Sequence, residues 1–188
     1  NLYNASFWLA QDARKTKLTY TQTTGSRPFV YAYKYRQYGV NDTWNPILRY
    51  SEVLLNVAEA YAYTGNNAQA LRLLNAVRDR SVGAENSFGT SAPADLKQAI
   101  YNERRIEFFA EGKRWGDIHR LAGTPYNPSG IPAKVLPSQL SAEVYDGETI
   151  LTPSQAAVPY SNFRFVWPLP STEVDANPTL RAQQNPGY

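Results

Sequence analysis

No cysteine, no methionine and a single histidine occur among the 188 residues of this chain. Without cysteine there is no disulfide, no thiolate metal site and no cysteine-linked lipid within these residues. The missing methionine, with Asn1 first, reads as a processed chain or a cut-out fragment rather than an intact translation product. His119 stands alone, and no Glu-x-x-His pattern accompanies it, so a histidine-based metal centre is not expected. No apolar run approaches 18 residues and no charged-then-apolar leader opens the chain, which argues against a spanning helix and a signal peptide within it. Charge is also sparse. The 19 Lys and Arg exceed the 16 Asp and Glu by three and are scattered, without the basic stripe of a nucleic-acid binder.

What is abundant is aromatic and turn-forming: 14 Tyr, 4 Trp, 13 Pro and 11 Gly. That composition excludes a disordered tail and suits a globular domain with long ordered loops. At this length a single domain over 1–188 is the default, able to bury roughly 70% of the unfolded chain's surface.

Along the chain, residues 19–26 read as loop. Phe29 to Tyr35 alternates, with Phe29, Tyr31, Tyr33 and Tyr35 on one side and Val30, Ala32 and Lys34 on the other, the period of a strand. From Ile47 to Tyr63 the period becomes 3.6, with Tyr50, Val53, Leu54, Val57, Ala58 and Tyr61 forming one stripe. Gly65 is placed for a left-handed cap, and Ala68 to Ser81 resumes the pattern through Ala70, Leu71, Leu74 and Val77. Two helices joined this closely must lie antiparallel, like one tetratricopeptide hairpin, although no second copy recurs at 34 residues. A third helix is expected from about Ala94 to Leu121, capped by Ser91 and broken near Gly112 and Gly116. Beyond Gly123 the chain is proline-rich. It is expected to be mostly irregular, with a short helix or hairpin within 135–151 and with Phe163, Phe165 and Trp167 buried. The segments are thus 1–46 (loop and short strand), 47–121 (helical core) and 122–188 (proline-rich loops and tail).

The densest chemistry lies at residues 103–117. Glu103, Glu107 and Glu111 repeat at i, i+4 and i+8 on one helical face, which repels itself in isolation. Such carboxylates could bind metal or act in acid/base hydrolysis; alternatively, Arg49, Arg78, Arg80 and Arg104 from neighbouring helices neutralise them in a partly buried ion network. Metal lacks supporting ligands, and hydrolysis needs two carboxyls about 5 to 10 Å apart across a cleft, which helix spacing cannot demonstrate. The network is the reading we adopt, with His119 as a packing or surface residue.

Four motifs resemble one family. Arg49 to Ala60 (R-Y-S-E-V-L-L-N-V-A-E-A), Leu74 to Arg80 (L-N-A-V-R-D-R), Glu103 to Asp117 (E-R-R-I-E-F…E-G-K-R-W-G-D) and the tail (W-P-L-P from Trp167, Q-N-P-G-Y from Gln184) are similar, in order, to signatures of the SusD/RagB family. The likeness covers residues 47–121 and 163–188. Ser51 departs from the commoner Ala, and Gly116 occupies a place often held by an aromatic. The resemblance implies a mainly α fold: a tetratricopeptide-like α/α superhelix of antiparallel helices, with long ordered loops and at most a small β-hairpin. It further implies a surface-exposed outer-membrane lipoprotein that binds oligosaccharide or polysaccharide and delivers it to a SusC-like TonB-dependent transporter. Such a protein is not an enzyme, needs no cofactor or metal, binds no nucleic acid and meets the membrane only through a lipid anchor outside this chain. Family members are much longer, so the chain resembles their C-terminal portion. Physically, the signature residues Arg49, Glu52, Glu59, Arg78, Glu103, Arg104, Arg105, Glu107, Glu111, Gly112, Arg114, Trp115 and Asp117 read as architecture: paired charges in a helix layer, with Trp115 flat between close helices.

A glycan site needs an exposed aromatic face beside short polar side chains. Tyr38 and Trp44, flanking Asn41 and Asp42, are the first candidates, and the Tyr31/Tyr33/Tyr35 face, Tyr33 in particular, is second. The competing readings are that the strand's aromatics pack on a helix and that Trp44 staples a helix start. Two other functions stay open: a tetratricopeptide-type interaction scaffold and, on the carboxylate helix alone, a glycoside hydrolase.

Overall fold

A computed structural model describes residues 2–24, 27–35, 44–139 and 151–188. The chain divides into two compact units, Asn1–Arg114 and Trp115–Tyr188.

In the first unit, Asp12 accepts from the Arg14 amide and opens the short helix α1 (Ala13–Lys17). Strands β1 (Thr19–Thr24) and β2 (Arg27–Ala32) follow as an antiparallel pair, with Tyr20 opposite Tyr31 and Gln22 opposite Phe29. Reading 19–26 as loop is therefore corrected: Thr-Tyr-Thr-Gln-Thr-Thr is β-branched at alternate positions and finds its partner in β2. Within the hairpin, Tyr31 of the aromatic face of β2 stacks on Tyr20 at 5.2 Å. A two-stranded ribbon is marginal alone; this one is fastened where the Tyr33 amide donates to the Leu18 carbonyl and where Phe29 is buried.

Helices α2 (Tyr50–Tyr63) and α3 (Asn67–Val82) form the expected antiparallel hairpin. Its turn works as the residues suggest. Gly65 takes φ +82°, the Asn66 amide reaches back to the Tyr61 carbonyl, and the Asn66 side chain caps α3. The buried side of α2, however, is Ser51, Leu55, Ala58 and Ala62, whereas Tyr50, Val53 and Val57 are exposed. Most of α2 is apolar around its circumference, so periodicity alone allowed a stripe rotated from the true one. The small Ala58 and Ala62 select the face that α3 can approach closely.

Helix α4 (Leu96–Glu107) packs on both, completing a core of Leu55, Ala58, Leu71, Leu74, Val77, Ile100 and Phe108. Its cap is Asp95, which accepts from the Gln98 amide, not Ser91, because helical geometry begins at Leu96 rather than at about Ala94. The expected long helix ends at Glu107. Ala110 and Gly112 take positive φ, and a new helix, α5 (Lys113–Arg120), starts beyond them. Gly116 sits inside α5 and breaks nothing.

Apart from α5 the second unit has little regular structure. Single antiparallel bridges join Ile131 to Val158 and Lys134 to Gln155, and α6 (Ser171–Ala176) is short. Within 135–151 the described part holds one 3-10 turn, Pro137–Gln139. The tail motifs hold each other: Gln184 bonds both the amide and the carbonyl of Leu169, Asn185 donates to the Trp167 carbonyl, and the Tyr188 hydroxyl donates to the Val166 carbonyl. Of the three aromatics expected to be buried only Phe165 is; Phe163 and Trp167 are 40% and 71% exposed. Side-chain-to-backbone hydrogen bonds, not burial of its ring, secure the segment around Trp167. The fold is mainly α and tetratricopeptide-like, with one small hairpin among the described residues.

Candidate functional site

Helical spacing places Glu103 and Glu107 on one side of α4, whereas Glu111, expected on the same helical face, lies in the turn beyond it, past the positive-φ Ala110; all three are buried. Three like charges out of water require cations, and five side chains supply them. Arg14 Nη1 donates to Glu103 at 2.6 Å and to Glu107 at 2.8 Å, while its Nε and Nη2 grip Asp12. Arg78 reaches Glu103 at 3.4 Å, Arg80 pairs with Glu107 and Lys34 pairs with Glu111. Arg49 uses all five of its N–H groups: Nε and Nη2 on Glu111 at 3.0 and 2.8 Å, Nη1 on Ser51 and Glu107, and the second Nη2 proton on the Glu107 carbonyl.

The electrostatics follow from this geometry. Burial pushes Glu107 up, but hydrogen bonds from Arg80 and Arg49 outweigh it and hold the carboxyl down at about 2. At Glu103 burial wins over the pull of Arg14 and Arg78, and the carboxyl is raised. Burial would lower Arg14, yet its hydrogen bonds to Asp12 and the charge of Glu103 keep it firmly protonated. A cavity of about 430 Å³ opens beside the network, lined by Arg14, Lys34, Arg49, Arg80, Glu107 and Glu111 among others. Its carboxylates are taken up by ion pairs, and Arg49 has no donor left.

The other signature residues have varied partners. Glu52 pairs with Lys113 at 2.9 Å, Glu59 accepts from the Tyr101 hydroxyl, Arg104 donates to Asn56 and lies over Phe108, and Arg105 lies over Phe7. Burial and the like charge of Arg114 lower Arg105. In the second unit Asp117 accepts from Arg120. Trp115 does not lie flat between helices. It is 40% exposed, 4.3 Å from the His119 ring and edge-on to Trp167 at 6.5 Å. Together with Phe165 and Val166 these rings line an apolar cleft of about 400 Å³. His119 fits a packing role: its Nδ1 donates to the Trp115 carbonyl and its ring faces Phe165.

Of the candidate sugar contacts, Tyr38, Asn41 and Asp42 lie outside the described residues. Trp44 is 90% exposed, so it staples no helix start and offers both indole faces to solvent. Tyr33 is half-buried with its ring against Tyr20 at 5.1 Å, which occupies part of the face it would offer. Beside Trp44 in the chain, the Asn45 side chain accepts from the Tyr35 hydroxyl at 2.8 Å. Sequence reasoning missed Asp12, Arg14 and Lys34. They lie in aperiodic segments, and the one available clue was that three stacked glutamates need more positive charge than their own helix carries.

The SusD family model matches residues 4–188. SusD-like protein P38 of Formosa agariphila is 36% identical over 89 residues, which are 43% of this chain and 18% of that protein. SusD-like protein P2 of the same organism is 30% identical over 150 residues, 75% of this chain and 25% of that protein. Among solved structures, a SusD superfamily protein of Bacteroides fragilis superposes with a TM-score of 0.69 at 28% identity, covering 95% of this chain and 36% of that one. A second from that species has a TM-score of 0.63 at 22% identity, covering 100% and 39%, a likeness of fold. The chain thus spans a quarter or less of the length of these curated relatives. With the family model matching almost its whole length, the chain belongs to the SusD family.

Proposed function

We propose that this protein binds an oligosaccharide or polysaccharide at the cell surface and passes it to a SusC-like TonB-dependent transporter, itself held at the outer membrane by a lipid anchor beyond these residues. Membership of the SusD family over residues 4–188 is the observation that carries this reading. We place a sugar contact at Trp44, with Tyr38, Asn41 and Asp42 beside it in sequence. An indole that is 90% exposed offers the flat apolar face on which a pyranose ring stacks. We take the protein to be a binding protein and not a glycosidase, because Glu103, Glu107 and Glu111 are buried and each is ion-paired.

Calorimetric titration of the full-length protein with a glycan panel tests the proposal. Binding of at least one glycan, weakened by Trp44→Ala without loss of helix content, is the expected result. Unchanged affinity in that variant removes Trp44 from the site, and release of reducing sugar abolished by Glu103→Gln overturns the non-catalytic reading. The exposed stripe of Ile47, Leu48, Tyr50 and Val53 favours a second reading, a tetratricopeptide-type scaffold for a protein partner. Binding of no glycan in the panel would leave that reading standing.

A further inference from the structure

An indole exposed as fully as that of Trp44 has little side-chain packing to set its direction; the backbone on either side must do so. That backbone is tied, from both sides, to one turn. Asn45 accepts the Tyr35 hydroxyl at 2.8 Å, and the same oxygen lies 3.3 Å from the Ala110 carbonyl. The Glu111 carboxylate takes Lys34 from one side of Trp44 and Arg49, at 2.8 and 3.0 Å, from the other. Lys113 donates to the Ile47 carbonyl at 2.7 Å. Residues 34, 35, 45, 47 and 49 are therefore all fastened, directly or through one neighbour, to residues 110–113. Ala110 in that turn holds φ +60°, the one positive φ among described non-glycine residues. A strained value of this kind persists only where the surroundings over-determine the backbone.

We propose that Tyr35 and Glu111 are positioning residues for the Trp44 indole: the turn at 110–113 clamps the chain before and after Trp44, and the aromatic face is set before ligand arrives. The glycan part of this inference rests on the sugar contact proposed at Trp44. A face fixed in advance spares the ordering cost that binding would otherwise carry. Glu111 suits the task because its side chain is almost fully buried, so its two partners are held without competition from water. Tyr35 adds a direct tie to the residue next to the indole.

The test uses full-length protein labelled with 5-fluorotryptophan, the Trp44 fluorine signal being assigned by its loss in Trp44→Phe. Tyr35→Phe removes one hydroxyl and no volume from the core; Glu111→Gln removes the charge. Both are expected to move the Trp44 signal toward that of free fluorotryptophan while the remaining indole signals stay in place. For a glycan that binds the wild type, Tyr35→Phe is expected to raise Kd about fivefold, the worth of one neutral hydrogen bond. An unmoved Trp44 signal in both variants overturns the clamp. Should Glu111→Gln lose all signal dispersion, Tyr35→Phe alone decides. If the wild type binds no glycan, the functional reading fails and the fluorine signal still judges the clamp.

Discussion

Replacing Glu107 with Gln keeps the volume and one acceptor oxygen but removes the charge that Arg14, Arg49 and Arg80 share. Two of these cations are shielded, with side chains 9% and 26% exposed; Arg80, at 52%, is partly screened by water. The Glu107 carboxyl titrates at about 2 in the folded state against 4.5 in a free chain. That difference is worth about 3 kcal/mol when the group is ionised in both states, within the range of about 3 to 5 kcal/mol for breaking a buried pair from one side. Between pH 4.5 and 2 the unfolded chain binds the proton more readily than the folded one. The contribution of Glu107 is therefore whole above pH 4.5 and is lost as pH falls through this window. Glu103, raised by burial, changes in the opposite sense, so the comparison must be between variant and wild type at each pH. Urea unfolding followed by helical circular dichroism should give a gap of about 3 kcal/mol at pH 7, closing toward zero near pH 2. A variant as stable as wild type at pH 7, or a gap that does not narrow with acid, would mean that the Glu107 charge does not hold the network together.

Leu74 is fully buried at the centre of the helical core, and Leu74→Ala should cost about 2 to 5 kcal/mol in the same denaturation assay. Arg14→Met should release residues 1–18 from α4, seen as protease cleavage ahead of β1 while α2 and α3 stay protected, since Arg14 is the ion-pair link from α1 to Glu103 and Glu107. Gly130→Ala should disrupt the second unit: at φ +80° an added Cβ would meet the Val158 carbonyl at 2.5 Å and the Tyr160 amide at 2.7 Å, both backbone. Loss of hydrogen-exchange protection at Ile131 and Val158 would report it.

The α2–α3 hairpin was legible because local rules decide it: helical periodicity on both sides of a Thr-Gly-Asn turn leaves one antiparallel arrangement. Glu103 and Glu107 on one face of α4 were legible for the same reason; the turn that carries Glu111 was not. Which side of α2 faces inward was not, since an apolar helix offers two candidate faces and only close approach of α3 at Ala58 and Ala62 chooses between them. The same holds for Trp115 and Trp167, whose size suggested burial but whose neighbours leave their indoles partly in solvent.

By itself the sequence determined the class of fold, the family signatures and the need for positive charge around three stacked glutamates. Arg49, Arg78 and Arg80 are among the cations expected from the sequence; Arg14 and Lys34, and which carboxylate each cation meets, come from the tertiary structure alone. Arg14 and Lys34 are 89 and 77 residues distant along the chain from the carboxylates they meet. Periodicity reports the faces of a single element. Which cation a buried carboxylate receives depends on segments brought together after those elements pack, and no local spacing encodes it.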